Sequence, residues 1–468
     1  MSETYDVAVI GLGPAGMAVS AMAAHMGLKV VGIEKRALGG ECMNTGCIPS
    51  KALLRMAHLR HLLARAADYA LAGEAHLVPK DPFAQIAEHL AFIRDKKTTA
   101  MLERVELVVG RGAARFVDAH TLAVGDDWFR AKKIFICTGS VPAVPPIPGL
   151  DSVPFLTNDN LFGLERVPES LVVLGGGAIG CEMAQAFRRL GSEVSVVHMD
   201  PHLLPYGDPD AGELLEKRFT REGIRVLNGR KIQSIAKTGG VAVVTEAGER
   251  LEGAALLVAA GRRFDFGELE LDRAGVAHGP NGIAVNRYLQ TSQKHIFAPG
   301  DANGTFLFSH AAMHQGMLAF MNSLIPGPIK FRWRKYVVPW TVFTDPPVAH
   351  VGMLERDLRA RRIRYEAIES RYEDYGAAIA EGIPVGSVKA YVSKTGRVYG
   401  ARIIGEGAGE MIGEWGLLIQ KRLRIHNIAF LQHAFPSMSF LTKRVGEGWI
   451  MNRTRGAGMR RIARWLCR

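Results

Sequence analysis

Cysteine is rare in this 468-residue sequence, and its five copies are too few for the disulfide framework of a secreted protein of this size. No run of 18 uncharged apolar residues occurs, so no membrane-spanning helix is predicted. The residues that lead into the first apolar stretch, 5–10, do not resemble a signal peptide. These absences together predict a cytoplasmic protein.

Acidic residues are scarce towards the end of the chain. Residues 420–468 contain eleven Lys and Arg but a single acidic residue, Glu447, and the whole chain has a net charge of +12. A solvated basic face is the favoured interpretation, and contact of the basic tail, 451–468, with an anionic membrane surface stays open. Nucleic-acid binding is not predicted, because no motif accompanies the charge.

Glycine, in contrast, is abundant, with 52 residues, and it marks an internal repeat. Segments 6–16 and 170–180 align at a constant offset of 164, and each is an apolar stretch followed by Gly-x-Gly-x-x-Gly. Such glycines permit a tight turn and let backbone amides approach a pyrophosphate at a helix N-terminus. The repeat therefore predicts two dinucleotide-binding βαβ units, whose glycines are Gly11, Gly13 and Gly16, and Gly175, Gly177 and Gly180.

The two units differ at the end of their second predicted strand. The first ends at Glu34, whose carboxylate can accept hydrogen bonds from a ribose diol and so suits the adenosine half of FAD. The second ends at His198, which supplies neither a carboxylate for NADH nor a guanidinium for NADPH. Because no arginine lies between Val194 and Gly212, we expect a slight preference for NADH.

The most specific pattern is a pair of cysteines, Cys42 and Cys47, in a glycine-flanked segment that ends at Lys51. Gly46 lets the backbone bend enough for the two cysteines to meet. A helix that begins nearby would stabilise a thiolate through its dipole. Two buried structural cysteines are the alternative interpretation.

These patterns together resemble the flavin-dependent pyridine nucleotide–disulfide oxidoreductases, a family that includes dihydrolipoamide dehydrogenases and mercuric reductases. The resemblance covers residues 5–449 and implies a homodimer that uses FAD and NAD(P)H. It also implies an α/β fold with two Rossmann-like domains and an α+β dimerisation domain. The predicted segments are 1–148 and 271–335 for the FAD-binding domain, 149–270 for the NAD(P)-binding domain, 336–450 for the dimerisation domain and 451–468 for a basic tail. Residues 53–111 are predicted to form long helical segments.

The resemblance also implies roles for individual residues. Cys47 would be the sulfur next to the flavin, and Cys42 the thiol that exchanges with the substrate. Lys51 would lie near the flavin and pair with Glu182, although both residues could instead be ordinary surface groups. The remaining predicted cofactor contacts are Thr138, Gly139, Gly261 and Asp301.

The sequence departs from the family pattern near its end. Disulfide reductases of this family place a catalytic His before a Pro and a Glu soon after, whereas this chain has Phe435 and Phe440 there. Phenylalanine cannot transfer a proton, and general acid–base help is typically worth about 100- to 10,000-fold. His433 is a candidate substitute, and a structural role is its alternative.

With an aromatic residue before this Pro, the sequence resembles the mercuric reductases of the family more than its disulfide reductases. The predicted function is electron transfer from NAD(P)H through flavin and the Cys42–Cys47 pair to a disulfide, a thiophilic metal ion or a related acceptor. Dihydrolipoamide dehydrogenase and a membrane- or partner-docked electron carrier are the alternatives. No resident metal site is predicted.

Overall fold

The computed structural model describes residues 4–71 and 80–467. Three large β-sheets follow one another along this part of the chain, and helices cover them. This arrangement confirms the predicted α/β architecture. Within these residues, no helix is both long and apolar enough to cross a lipid bilayer.

The first sheet has a parallel half and an antiparallel half. Strand Tyr5–Ile10 lies at its centre and pairs in parallel with the strands on both sides. The late strand Ile296–Phe297 joins the same sheet in parallel, so the chain returns to this layer after residue 270. In spatial order the other strands are Glu106–Val109, Val30–Glu34, Tyr5–Ile10, Asp127–Ile136, Thr121–Val124 and Arg115–Asp118.

The second sheet repeats the parallel pattern of the first. Its four strands, in spatial order, are Arg225–Leu227, Glu193–Val197, Ser170–Leu174 and Ala255–Val258. The last three of these strands are mostly buried, which explains their high Val and Leu content. Three antiparallel strands stand beside this sheet: Ile232–Lys237, Val241–Thr245 and Arg250–Gly253.

The third sheet is antiparallel throughout. Its strands, in spatial order, are Trp340–Val342, Val348–Gly352, Val398–Ile404, Ser387–Val392 and Glu366–Arg371. Trp415 is fully buried among the residues between this sheet and the helices that cover it. Two short ribbons complete the strand set: Val141–Pro142 with Arg262–Arg263, and His278–Gly279 with Gly282–Ile283.

Helices cover these sheets, and one pair of helices positions the cofactor cavity. Pro14–His25 packs closely on Ser309–Leu324, because Gly316 lets its backbone approach Ala15: a Cβ at Gly316 would lie 2.5 Å from the Ala15 carbonyl oxygen. The other α-helices are Gly40–Asn44, Cys47–Ala64, Pro82–Ile93, Thr99–Met101, Asn158–Leu161, Ala178–Leu190, Pro209–Arg221, Glu355–Ala360, Gly376–Ala380, Ala408–Lys421, Ile425–Phe430, Phe440–Thr454 and Ala457–Leu466.

The helical prediction for residues 53–111 was partly wrong. Its first part lies in the helix Cys47–Ala64, and Pro82–Ile93 is helical too. Glu106–Val109 is instead an edge strand of the first sheet, because its branched apolar residues pair with Val30–Glu34. Residues 72–79 lie outside the described part of the chain.

Candidate active site

A single large cavity of about 2360 Å³ joins the first two sheets and the start of the third. It is lined by both glycine turns, by both cysteines of the predicted pair and by Lys51. Its volume exceeds that of an ordinary ligand pocket, which is about 300–1,000 Å³. The arrangement therefore provides room for more than one large ligand.

The first glycine turn has the shape that a dinucleotide requires. Gly11 has a φ of +87°, and a Cβ there would lie 2.5 Å from the carbonyl oxygen of Cys137. A Cβ at Gly16 would lie 1.9 Å from the Gly11 carbonyl oxygen, so only glycine allows the helix to start this close to the strand. A Cβ at Gly13 would meet only the Gly40 Cα atom, at 3.9 Å, and Gly13 lines the cavity where a phosphate would bind.

Side chains around this turn fit the FAD that the resemblance implies. Glu34 is buried and accepts hydrogen bonds from the backbone N–H groups of Leu12 and Arg36, at 2.8 and 2.9 Å. These bonds orient its carboxylate and leave acceptor capacity for a ribose diol. The Oγ1 atom of Thr138 is buried, lines the cavity and has no hydrogen-bond partner among the described residues. Such an orphaned polar atom fits a site that a cofactor completes.

A further acidic side chain lies deeper in the same cavity. Asp301 accepts a hydrogen bond from the Ser140 hydroxyl at 2.8 Å, and burial raises the pKa of its carboxyl group. Gly139 and Gly261 both have positive φ angles, and a Cβ at either position would meet no atom within 4 Å. The structure therefore brings these predicted cofactor residues to the wall of one cavity.

The second glycine turn repeats the geometry of the first. Gly175 has a φ of +121°, and a Cβ there would lie 2.3 Å from the Ala259 carbonyl oxygen. A Cβ at Gly180 would lie 2.0 Å from the carbonyl oxygen of Gly175, whereas Gly177 faces open space. This turn therefore fits a second dinucleotide, in agreement with the expected NAD(P)H.

His198 lies beside this second turn. Its ring is buried, and its Nε2 atom is 2.6 Å from Oδ1 of Asn228. Its Nδ1 atom is buried and has no hydrogen-bond partner among the described residues. Arg230, which lies beyond the arginine-free segment between Val194 and Gly212, also lines the cavity and pairs with Glu249 at 2.9 Å.

The two cysteines lie where two short helices meet. Cys42 is in the helix Gly40–Asn44, and Cys47 is the first residue of the helix Cys47–Ala64. Both are half-buried free thiols whose side chains are hydrogen-bonded to each other. The structure therefore brings together the two sulfurs that the sequence pairs, and we call Cys42 and Cys47 the redox pair.

The two sulfurs have opposite acidities. The hydrogen bond from Cys42, a hydrogen bond with Ser309 and the positive charge of Lys51 lower the pKa of Cys47 to about 6, despite its burial. The Ser309 Oγ atom is 3.2 Å from the Cys47 sulfur. The same bond with Cys47, together with burial and the Glu41 charge, raises the pKa of Cys42. The reduced pair thus favours a thiolate at Cys47 and a protonated thiol at Cys42.

Lys51 stands one helical turn beyond Cys47 and is held on two sides. Its Nζ atom is 2.9 Å from Oε2 of Glu182, and it lies 4.5 Å from the centre of the Phe343 ring. The other carboxylate oxygen of Glu182 accepts a hydrogen bond from the backbone N–H of Phe343 at 2.9 Å. Glu182 is buried, so this pair fixes a cation at a defined place on the cavity wall.

A second ion pair near the redox pair was not visible in the sequence. Arg262 donates to Oε1 of Glu41 at 2.7 Å and to the Ser140 hydroxyl at 2.6 Å. Glu41 directly precedes Cys42, so Arg262 offsets a negative charge beside that sulfur. The partners are 221 residues apart in sequence, and no local pattern could have paired them. The same holds for Ser309 and Cys47, which are 262 residues apart.

His433 is the candidate substitute for the missing proton donor, and a structural role is its alternative. Its side chain is 2% exposed, and its Nε2 atom is 3.1 Å from Oε2 of Glu414. Neither His433 nor Phe435 lines the cavity of its own protomer. Phe435, in contrast, is 72% exposed. The structure therefore turns the aromatic residue outwards and the histidine inwards.

Phe435 belongs to an aromatic cluster, which we define as Tyr375, Phe435 and Phe440. The Phe435 and Phe440 rings meet edge to face, with centroids 5.4 Å apart, and Phe440 stacks on Tyr375 at 6.1 Å. Tyr375 is buried and donates its hydroxyl to the Ser437 carbonyl. The buried ring of Tyr375 thus supports an exposed Phe435, at the position where the resemblance implies a catalytic histidine.

One group of possible metal ligands occurs outside the cavity. It comprises His61, Glu222 and Asp345, whose donor atoms lie within 4.8 Å of one another. Both carboxylates already pair with Arg189, at 2.7 and 2.6 Å, and Arg218 approaches them as well. Two guanidinium groups in contact with the carboxylates are unfavourable for a cation, so we assign no metal to this group.

Comparison with known proteins agrees with this geometry. Residues 5–316 match the family model "Pyridine nucleotide-disulphide oxidoreductase", and residues 338–444 match the dimerisation domain of the same family. The chain is 32% identical to a mercuric reductase of Lysinibacillus sphaericus, over 91% of this chain and 79% of that protein. It is also 32% identical to a dihydrolipoyl dehydrogenase of Chlamydia muridarum, over 94% and 95% of the two chains.

A solved structure is similar over nearly the whole chain. It is the Cu(II) complex of the HOCl-induced flavoprotein disulfide reductase RclA from Escherichia coli, with a TM-score of 0.85 and 27% identity over 95% of this chain and 99% of that one. The matched dimerisation domain supports a homodimer. From its family models, its relatives and its two glycine turns, the chain belongs to the pyridine nucleotide-disulphide oxidoreductase family and is a flavoprotein enzyme that uses FAD and NAD(P)H.

Proposed function

We propose that this enzyme uses NAD(P)H to reduce a thiophilic metal ion, such as Hg(II) or Cu(II), through the redox pair, and reduces disulfides less efficiently. The observation that carries the proposal is the exposed Phe435, which stands where a disulfide reductase of this family needs a proton donor. Relatives named mercuric reductase and a neighbour solved with Cu(II) support it.

The chain's own residues perform the thiol chemistry. Bound FAD supplies the two-electron connection between the nicotinamide and the redox pair. Lys51, held by Glu182, places a positive charge on the wall where negative charge develops during reduction. Ser309, Lys51 and the Cys42 thiol keep Cys47 as a thiolate near neutral pH. Cys42 keeps its proton until it meets an acceptor.

The acceptor step balances without a separate proton donor. The reduced pair, a Cys42 thiol and a Cys47 thiolate, loses two electrons and one proton as the S–S bond forms. One Hg(II) takes both electrons, or two Cu(II) take one each, and the proton leaves to solvent. Soft metal ions bind thiolates strongly, so the step needs sulfur ligands and electrons rather than an acid.

Reduction of a disulfide acceptor, in contrast, requires a proton donor. Its leaving thiolate must be protonated, and the family's histidine supplies that proton from the partner subunit. Phe435 is exposed and can face the partner in the same way, but it offers only an apolar ring. His433 stays a prediction for this role, and the contact of its buried side chain with the half-buried Glu414 favours a structural one.

For the nicotinamide, we propose NADH rather than NADPH. His198 carries no carboxylate, but the nearby cation Arg230 is held by Glu249, which offsets its charge. The substitution Glu249→Gln would free Arg230 for a 2′-phosphate. We expect it to raise kcat/KM for NADPH several-fold and to leave that for NADH nearly unchanged. A wild-type preference for NADPH would contradict the proposal.

We also propose that the homodimer works in the cytoplasm. A reducing compartment suits an enzyme whose redox pair must be re-reduced in each cycle and whose Cys467 thiol is exposed. Partial oxidation of Cys467 to an intersubunit disulfide in freshly purified protein would argue against this compartment.

The direct test is a panel of acceptors with purified holoenzyme and NADH. We expect turnover with Hg(II) and Cu(II) to exceed turnover with glutathione disulfide and lipoamide by at least about 100-fold, the low end of the missing acid–base contribution. Cys42→Ser should abolish metal reduction, and Cys467→Ser, at an exposed thiol outside the cavity, is the matched control. Equal turnover of lipoamide and metal ions, or an unaffected Cys42→Ser variant, would overturn the proposal.

Dihydrolipoamide dehydrogenase is the second candidate, because relatives with that name align over nearly the full chain. It predicts rapid reduction of NAD by dihydrolipoamide. The absence of a titratable side chain at Phe435 leads us to expect very slow turnover, and rapid turnover would establish this alternative instead.

A further inference from the structure

The last helix of the chain, Ala457–Leu466, has two chemically distinct faces. At 3.6 residues per turn, its apolar side chains fall on one side and its arginines on the other. The apolar face consists of Met459, Ile462, Ala463, Trp465 and Leu466, and the basic face consists of Arg460, Arg461 and Arg464. We call this element the C-terminal helix.

Both faces of the C-terminal helix are open to solvent in the protomer. Trp465 is 72% exposed, Leu466 69% and Ile462 51%, which is unusual for large apolar side chains that lie next to one another. None of the three arginines forms an ion pair or a side-chain hydrogen bond with any residue in 4–71 or 80–467. The helix is therefore formed, amphipathic and unpartnered.

We propose that the C-terminal helix lies on an anionic membrane surface, with its apolar face in the boundary between headgroups and acyl chains and its arginines on the lipid phosphates. An amphipathic helix with an apolar stripe and a basic face is the form that binds in the plane of such a surface. The helix is about 15 Å long, too short to span a bilayer, so contact would be peripheral. The proposal is independent of which acceptor the enzyme reduces.

Charge favours a lipid surface over other occupants of this face. A second copy of this chain also carries a net charge of +12, so its surface attracts the three arginines less than an anionic bilayer does. A nucleic acid would attract the arginines but would leave the row of Met459, Ile462 and Leu466 in water. An anionic bilayer satisfies both faces, because headgroup phosphates and acyl chains lie within a few ångströms of each other.

The neighbouring segment strengthens the attraction. Arg455 lies in the short connection before the C-terminal helix, is exposed and has no ion pair within the described residues. Each Lys or Arg close to an anionic surface contributes about 1 kcal/mol, so three arginines correspond to roughly a 100-fold change in binding. That change is large enough to measure with single-site and triple variants.

The test is co-sedimentation of the full-length holoenzyme with vesicles. Vesicles of phosphatidylcholine containing about 30% phosphatidylglycerol should bind the protein at about 0.1 M salt, and pure phosphatidylcholine vesicles should not. Changing Arg460, Arg461 and Arg464 together to Gln should reduce binding roughly 100-fold. The matched control changes three other exposed arginines, Arg361, Arg362 and Arg364, to Gln and should reduce it far less.

A second pair of variants tests the apolar face. The double substitution Ile462→Ser with Trp465→Ser should weaken binding about tenfold or more, and Phe92→Ser, which removes a similarly exposed aromatic ring elsewhere, should not. NADH oxidation with the preferred metal acceptor should be unchanged in all these variants. That readout separates failure of this proposal from failure of the proposed function.

Three outcomes would overturn the proposal. One is no binding to anionic vesicles, and another is equal loss of binding in the helix variants and the arginine control. The third is conversion of the dimer to monomers by the Ile462 and Trp465 substitutions without any vesicle binding. In that case the C-terminal helix would be part of the contact between subunits.

Discussion

The two ends of the electron path in this protein are built from opposite kinds of side chain. Around the redox pair, charged and polar groups are paired with one another: Lys51 with Glu182, and Arg262 with Glu41. Where the resemblance places a catalytic histidine, the aromatic cluster presents the exposed ring of Phe435, which cannot transfer a proton. Paired charges thus surround the two sulfurs, whereas an apolar ring without a transferable proton is exposed at the other end.

Substitutions at the redox pair should reduce turnover more than substitutions at Phe435. Replacing Cys47 with Ser removes one of the two sulfurs that exchange electrons, so we expect metal reduction to fall by at least about 1,000-fold, to the level of the uncatalysed background. Stopped-flow measurement of NADH oxidation with Hg(II) checks this. Cys467→Ser, a change at an exposed thiol, should stay near the wild-type rate. A Cys47→Ser variant with more than a tenth of wild-type turnover would show that metal reduction does not depend on the redox pair.

The cation beside the redox pair should matter less than the sulfurs. Lys51→Met removes the positive charge and leaves Glu182 buried without its partner, so we expect kcat to fall about 10- to 100-fold. The double variant Lys51→Met with Glu182→Gln removes the unpaired charge and should recover stability but not kcat. Lys132→Met, at an exposed ion pair with Asp6 outside the cavity, is the control. Recovery of kcat in the double variant would mean that the pair is only structural.

A substitution at Phe435 should, in contrast, increase the rate of disulfide reduction. Phe435→His restores a proton donor at the family's position, so we expect disulfide turnover to rise about tenfold, less than the full contribution of an evolved acid–base residue. Hg(II) and Cu(II) turnover should not rise. Phe435→Ala controls for loss of the ring alone. If the alanine variant gained as much as the histidine variant, the ring would act by blocking access rather than by lacking a proton.

The smallest expected effect is a shift in the titration of Cys47. Its pKa of about 6 lies below the ordinary thiol value, so its thiolate is present above about pH 6 and is lost as the pH falls below that value. In the reduced enzyme, thiolate absorbance should follow this midpoint. Cys42→Ala removes the hydrogen bond that lowers the pKa most, so its midpoint should lie at higher pH. An unchanged midpoint would mean that Lys51 and Ser309, rather than Cys42, lower the pKa of Cys47.

Much of the fold could be predicted because its strongest signals are local. The two Gly-x-Gly-x-x-Gly turns and their apolar strands follow from backbone sterics, and Gly11 and Gly175 indeed have positive φ angles that other residues rarely adopt. The edge strand Glu106–Val109 was missed, since helical spacing in the segments before it extended the prediction too far.

The candidate site could be predicted only in part, for the same reason. Cys42, Cys47 and Lys51 occur within ten residues, so the sequence placed them together. Ser309, Arg262 and Arg230 reach the cavity from distant segments, and nothing in the sequence around them shows what they contact. The expectation for His433 depended on its nearness to Phe435 along the chain, yet the two side chains point to different environments.

The sequence by itself determined the repeat, the cysteine pair and the loss of the histidine, because each depends on residue identity at fixed short spacing. Only the tertiary structure decided which sulfur is acidic, which charges are neutralised and that Phe435 is exposed while His433 is buried. Those properties depend on distances between groups remote in sequence and on access to water. Tertiary packing determines these distances and this access to water, and no single segment of the sequence encodes them.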